Sequence, residues 1–389
     1  MTVSMVPLDP PARILLGPGP SCVHPRVYQA LSTPLVGHLD PLFLAVMEET
    51  KVLLRELFQT ANRLTLPISG TGSAGMEACL VNVVEPGDRV LVCVCGLFGE
   101  RMVEVARRCG AEVTVVEAPW GEPVPAEAVA AALEARAHKL VALVHAETST
   151  GVLQPIPEIA ALARKHGSLL LVDTVTSLGG VEVAVDAWSA DLCYSGTQKC
   201  LSCPPGLAPI TLGERAVEAL RRRRSPVQSW YLDLSLIERY WGQERVYHHT
   251  APVSMNYALR EALLLIREEG LARRWERHRC NHLRLVRGLE AMGLALQVPA
   301  SWRLPTLNAV RIPEGADDAK VRQYLLEEWN LEIGGGLGPL KGRIWRVGLM
   351  GHGCTREHVV LLLTGLGAAL TAQGIRVATG AGVEAALAD

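Results

Sequence analysis

Leu169-Leu-Leu-Val-Asp173-Thr-Val-Thr-Ser177 is an apolar run that stops at a carboxylate, and Asp191-Leu-Cys-Tyr-Ser-Gly-Thr-Gln-Lys199 is a second run that stops just short of an amine. Runs of this kind recur on both sides of the pair. Upstream lie Leu64–Ile68, Val90–Val94, Glu112–Val116 and Leu140–His145, and downstream lies Ala208–Thr211. Amphipathic stretches separate them, among them Ser73–Val84, Glu100–Cys109, Ala126–Ala137 and Ile156–Lys165. Short apolar runs alternating with helices predict an α/β fold, with a mostly parallel sheet covered on both faces. Ligands of such folds bind beyond the carboxyl ends of the strands. The residues just after each run therefore carry the chemical information.

The pattern changes after residue 250. Residues 255–269 and 271–292 read as two long helices meeting at Gly270. Leu307–Ile312, Leu331–Ile333 and Ile344–Val347 read as strands, with helices over Asp317–Trp329 and Thr355–Leu370. This is the signature of a smaller C-terminal α+β domain. The expected division is an irregular arm over residues 1–20, a large α/β domain over 21–265 and a small domain over 266–389. Ala378–Asp389 is rich in small residues and weakly patterned, and is expected to be a loose end.

Composition narrows the function. At roughly 100–200 residues per domain, 389 residues accommodate two or three domains. With 49% hydrophobic and 20% charged residues, the chain is globular rather than disordered. A formal net charge of −2 argues against a nucleic-acid binder held by bulk charge. No apolar run approaches the ~20 residues of a membrane span. Met1–Pro11 has no basic residue and three prolines, unlike a targeting peptide, and Leu387-Ala388-Asp389 is no peroxisomal signal. A cytoplasmic location is the expectation, and the ten cysteines should then be reduced. Cys200-Leu-Ser-Cys203 is a lone pair with no second pair or histidines at zinc spacing, so no metal is expected.

Three features point to a site. Ser69-Gly-Thr-Gly-Ser-Ala-Gly75 follows a run and opens a helix, where backbone N–H groups and the helix dipole favour an anion. Gly70, Gly72 and Gly75 satisfy a dinucleotide fingerprint literally, but counting on from Gly75 gives Cys95 where a ribose-binding acid is needed. The turn reads as a phosphate site or simply as a tight turn, not as a nicotinamide site. Asp173 points from a strand end into the crevice or serves as a helix N-cap. Lys199, 26 residues later, sits among cysteines and apolar residues, where an amine loses part of its preference for the charged form and becomes a nucleophile. Together these parts suit pyridoxal phosphate: a cradle for its phosphate, an amine for its aldehyde and a carboxylate for its pyridinium nitrogen.

The chain resembles the class V branch of fold-type I pyridoxal-phosphate-dependent transferases, in particular the alanine–glyoxylate and serine–pyruvate aminotransferases. The resemblance runs from about residue 12 to residue 370. Leu16-Gly-Pro-Gly-Pro-Ser21, Gly37-His-Leu-Asp-Pro41, Glu147-Thr-Ser-Thr-Gly-Val-Leu-Gln-Pro155, Val172–Gly180, Ser195–Lys199, Tyr247-His-His-Thr250, Gly334–Pro339 and Trp345–Gly351 carry it in order. It implies that Lys199 is the Schiff-base lysine and proton shuttle. Asp173 would be the pyridine-nitrogen partner, and Val175 would pack under the ring. Thr148 would contact the ring hydroxyl region, and Phe98 falls at the ring-stacking position. Thr71, Gly72, Ser73 and Gln198 would hold the phosphate. Tyr247 and Thr250 would reach the phosphate in the neighbouring subunit of a homodimer. Arg346 would grip the substrate carboxylate. Family members nearest the mammalian enzyme carry Trp where Phe98 stands and His where Ser73 stands.

The implied activity is amino transfer from alanine or serine to glyoxylate or pyruvate. Ureidoglycine, 2-aminoethylphosphonate or 3-hydroxykynurenine are the rival donors. A dehydrogenase using the glycine turn and a non-catalytic module of the same fold are the competing classes. The missing ribose acid speaks against the first, and the presence of Lys199, Asp173 and Arg346 against the second. Arg221–Arg224 is expected to be a solvated helix end, and Arg273–Arg287 an exposed helix face. His248 and His249 are expected to point to opposite faces of a strand.

Overall fold

The computed structural model describes residues 8–388, so Met1–Pro7 of the expected arm lie outside the described residues. All seven apolar runs form strands. They are Leu64–Ser69 (β1), Arg89–Val94 (β2), Glu112–Glu117 (β3), Leu140–Val144 (β4), Leu169–Asp173 (β5), Leu192–Tyr194 (β6) and Leu207–Leu212 (β7). They build one sheet in the order β1-β7-β6-β5-β4-β2-β3. Of the seven, β7 alone runs against its neighbours. Side chains alternate across a strand. Val90, Val92 and Val94 of β2 therefore enter one core, while Leu91 and Cys93 enter the core on the opposite face. Burial on both faces is why the runs read as continuously apolar.

Helix α1 (Gly72–Val83) follows β1, and α2 (Leu97–Arg108) follows β2. Two long helices, α3 (Val253–Glu269) and α4 (Leu271–Ala291), leave the large sheet. They break at Gly270, whose φ of +81° is open to glycine at little cost. Beyond them, Leu307–Arg311 (β8), Gly334–Gly335 (β9) and Ile344–Gly348 (β10) form an antiparallel sheet in the order β8-β10-β9. Helices α5 (Asp318–Trp329) and α6 (Arg356–Thr371) accompany it. A separate core unites Val310, Trp345 and Val347 with Leu285, Leu289, Leu362 and Leu366.

The structure refines or corrects the remaining expectations for these segments. Leu331–Glu332 does not join the small sheet but pairs in parallel with Ile14–Leu15. The described part of the arm is irregular apart from Ile14–Leu15 but is docked on the fold: Leu16 enters the small core, and just beyond the arm Ser21 Oγ donates to the Lys199 carbonyl. Two-residue strands are too short to leave a period in the sequence.

The C-terminal stretch is not loose, because Thr379–Leu387 forms helix α7. Small residues let it lie close against α4: a Cβ on Gly382 would stand 2.4 Å from Met292 Cγ and 2.9 Å from the Gly288 carbonyl. Nor is Arg273–Arg287 a purely exposed face. Arg274 is 5% exposed and donates to the carbonyls of Gly179 (2.8 Å) and Cys200 (2.6 Å), with Glu269 balancing its charge. In the Arg221–Arg224 run, Arg223 turns inward and donates to the carbonyl of Val84 at the end of α1 (2.8 Å).

The α7 contact gives a stability prediction. Gly382→Val should overpack the α4–α7 contact and cost about 1–3 kcal/mol. The urea midpoint should fall while the folded far-UV circular dichroism stays unchanged.

Candidate active site

The carboxyl ends of β4, β5 and β6 and the first turns of α1 and α2 enclose a cavity of about 230 Å³. Asp173 is the last residue of β5, and Lys199 follows β6 by five residues. Thr71, Gly72, Ser73, Phe98, Thr148, Asp173, Val175, Gln198 and Lys199 all line it. A larger cleft of about 650 Å³ lies at the opposite end of the sheet, but Asp88 and Asp191 pair with its Lys139 and Arg215.

The cavity floor is electrostatically tense. Asp173 is 3% exposed. Its Oδ1 accepts from the Val175 amide (2.8 Å), and its Oδ2 accepts from the Tyr194 hydroxyl (2.5 Å). Burial nevertheless pushes its carboxyl up to about 7. Lys199 is 8% exposed, and its Nζ donates to the Pro18 carbonyl. Burial, followed by the charge of Arg346, lowers this amine to about 8. The Lys199 segment is held from outside as well. Ser21 Oγ donates to the Lys199 carbonyl (2.7 Å), and the Ser21 amide donates to the Gln198 carbonyl (2.9 Å).

The walls are built by local geometry. Thr71 starts α1 without a side-chain cap, so backbone donors of the first turn remain for a ligand. Gln198 has a buried, unpartnered Oε1, so its amide is uncommitted. Phe98 opens α2, and its amide donates to Glu147 Oε2 (3.2 Å). The Arg101 guanidinium stands 5.1 Å from the Phe98 ring centroid. Arg346, on β10, donates from Nε to the Gly335 carbonyl (2.7 Å) and from Nη1 to the Thr148 carbonyl (3.3 Å). It is thus tied to a wall residue without lining the cavity itself.

Tyr247 and Thr250 are not brought to this cavity. Tyr247 is 58% exposed, and its hydroxyl lies 3.4 Å from that of Thr250. The expected strand there is absent: His248 and His249 lie in irregular chain with their Nδ1 atoms 2.7 Å apart. An extended pair would have faced apart. His249 Nε2 instead meets Ser69 Oγ at 2.7 Å, beside the glycine turn. Among the described residues, no group of three or more metal-ligating side chains occurs. Cys200 and Cys203 are buried free thiols pushed up to about 12 by burial. Among the described residues, no helix is long and apolar enough to cross a membrane.

Residue-by-residue reading missed Tyr194, Glu147, Arg101 and Pro18. Tyr194 ends its strand as Asp173 ends the neighbouring one, a pairing that only the strand register reveals. Glu147 sits within a quoted motif, yet nothing in its spacing reveals that it holds the first turn of α2.

Residues 26–339 match the family model for aminotransferase class V. The chain belongs to this family. Membership implies pyridoxal phosphate as cofactor. The chain is 41% identical to an alanine–glyoxylate aminotransferase of Drosophila melanogaster, over 96% of each chain. It superposes on the crystal structure of ureidoglycine–glyoxylate aminotransferase from Bacillus subtilis with a TM-score of 0.97 at 44% identity, covering 98% of this chain and 99% of that one. The alanine–glyoxylate aminotransferase structure from Nostoc sp. gives 0.93 at 54% identity, covering 95% and 98%. The fold is that of the fold-type I aminotransferases, as the sequence predicts.

The lowered amine has a measurable consequence. Protonated Lys199 is inert to acylation, so its labelling by acetic anhydride should rise with a midpoint of about 8. Arg346→Gln removes a repelling charge and should move that midpoint upward. Peptide mass spectrometry across a pH series on ligand-free protein reads both.

Proposed function

We propose that the chain is a pyridoxal-phosphate-dependent aminotransferase that moves an amino group from alanine or serine to glyoxylate or pyruvate. The convergence of a buried amine, Lys199, and a buried carboxylate, Asp173, on one cavity carries this reading. The remaining walls fit the same cofactor: the free first-turn amides of α1 suit a phosphate, and the Gln198 side chain, whose Oε1 has no partner, can turn its NH2 donor towards it.

When bound, pyridoxal phosphate supplies an electron-accepting ring that allows the α-carbon of an amino acid to lose its proton. The protein's own groups do the rest. Lys199 Nζ would hold the cofactor at its aldehyde end and, as a free amine, would be the group that moves the substrate's α-proton. Asp173 would keep the ring nitrogen protonated. Val175, Phe98 and Thr148 would hold the ring between them. Arg346 presents a planar fork to the α-carboxylate, which lysine could not match. Donor and acceptor use this fork in turn, since each carries a carboxylate beside the reacting carbon.

The division into two domains, set at 265/266 from the sequence, belongs to the same reading and is supported by separate cores, with Ile266 on α3 still packed in the large one. So does a homodimer in which Tyr247 and Thr250 reach the partner's phosphate. Their exposure, and their absence from the lining of their own cavity, support that role. A ureidoglycine donor is the second reading, favoured by the close superposition on the Bacillus subtilis protein; the higher identity to the Nostoc protein favours alanine.

A substrate panel tests the activity. Alanine, serine and ureidoglycine are each paired with glyoxylate and pyruvate. Alanine or serine with glyoxylate should give the highest kcat/KM. Lys199→Ala should lose nearly all turnover and the borohydride-fixed cofactor mass on its peptide. A larger kcat/KM for ureidoglycine would replace the first reading with the second.

Hybrid dimers test the shared site. Tyr247→Phe with Thr250→Val should weaken cofactor binding in a homodimer. Mixed with Lys199→Ala chains, it should regain activity, because one site then combines an intact Lys199 with an intact pair from the other chain. No recovery in verified hybrids would rule out sharing.

A further inference from the structure

Strands β5 and β6 are parallel neighbours, and their register sets Asp173 opposite Tyr194. Each is the last residue of its strand, and side chains at paired positions point to the same face. The Tyr194 hydroxyl therefore meets Asp173 Oδ2 at 2.5 Å, with the tyrosine fully buried. The carboxylate carries no proton to give when ionised, so the phenol is the donor. The tyrosine is held in turn by α1. A Cβ on Gly75 would stand 3.3 Å from Tyr194 Cβ and 3.5 Å from its ring, so the glycine lets the helix close onto it.

We propose that Tyr194 is a positioning residue for Asp173: its hydroxyl keeps this carboxylate ionised and aimed into the cavity, so that the ring nitrogen of a bound cofactor stays protonated. The proposal rests on the pyridoxal-phosphate reading above. Among the influences on Asp173, burial is the largest and drives it towards the neutral acid, while the Tyr194 hydrogen bond is the strongest that opposes it. The Val175 amide and the Lys199 charge help, and Glu147 opposes. Cys79 on α1 and, across the sheet, Cys193 on β6 lie within the field of this carboxylate, but burial keeps both as neutral thiols. Burial, together with Asp173, pushes the Tyr194 phenol well above its ordinary range, so it remains a donor.

The test measures binding rather than turnover. Pyridoxamine 5′-phosphate has the same ring and phosphate but no aldehyde to bond to Lys199. Its dissociation constant is followed by fluorescence titration of the ligand-free dimer across a pH series. In the unaltered protein, affinity should fall as pH drops through the titration of Asp173. Tyr194→Phe keeps the ring and its packing but removes the donor. The midpoint should move up by about one pH unit, with affinity about tenfold weaker on the acid side and equal on the alkaline side. Site-specific Tyr194→3-fluorotyrosine, a stronger donor of nearly the same shape, should move the midpoint down. Uniform weakening at every pH in Tyr194→Phe, with no movement of the midpoint in either variant, would mean that the tyrosine only packs, and the proposal would fall. Asp173→Asn separates this from the underlying reading. If it leaves affinity and pH dependence unchanged, Asp173 does not hold the ring nitrogen. If it abolishes the pH step while both Tyr194 variants keep the normal midpoint, the positioning role alone is lost.

Discussion

Two opposite charges, Lys199 and Asp173, are held out of water at the carboxyl ends of adjacent strands, and much of the chain is arranged to make that tolerable. Burying an ion costs several kcal/mol unless hydrogen bonds replace its water. Each group has such bonds: the Tyr194 hydroxyl and the Val175 amide for Asp173, and the Pro18 carbonyl for Lys199. The residual strain is visible in opposite shifts, with the acid pushed up to about 7 and the amine down to about 8. Groups poised near neutrality can exchange protons without large penalties in either direction.

This requirement explains why distant segments converge on one loop. The arm reaches it through Pro18 and Ser21, and the same arm is anchored by Ile14–Leu15 to Leu331–Glu332 beside the small sheet. Helix α4 reaches it through Arg274, which grips the Cys200 carbonyl next to the lysine. Strand β10 supplies Arg346, tied to the Thr148 carbonyl. The Lys199 segment is thus pinned from two directions, by the N-terminal chain and by α4, while Arg346 acts on its amine through charge. A change in how the small sheet sits would be felt at the amine through all three.

The large sheet was legible because strands buried on both faces leave continuous apolar runs, and helices between them leave a different period. The cavity residues next to those runs were legible for the same reason, and nine of the proposed site residues do line it. What stayed hidden depends on register or on three-dimensional closure. Tyr194 matters only because β5 and β6 align at their last residues, which no single run declares. Glu147 matters because its carboxylate lands on the first turn of α2. Arg274 and exposed arginines share one helical period, and only the approach of Glu269 and two carbonyls distinguishes them. Helix α7 escaped because small residues give weak periodicity while permitting the closest packing.

Arg346 links the carboxylate fork to the lysine. Its charge is the second influence, after burial, that depresses Lys199. On the function proposed above, a substrate carboxylate bound at Arg346 neutralises that charge. The repulsion on Lys199 then weakens, and the amine becomes a stronger base just as a substrate with an α-proton arrives. Before substrate arrives, the same repulsion favours the neutral, nucleophilic form that an aldehyde requires. One arginine thereby serves two opposite needs of one amine, and it does so through its occupancy rather than through movement. A lysine at position 346 would also be a cation, but as a compact point charge it would not clasp a carboxylate through two parallel bonds. The planar fork is what couples recognition of the substrate to the basicity of Lys199.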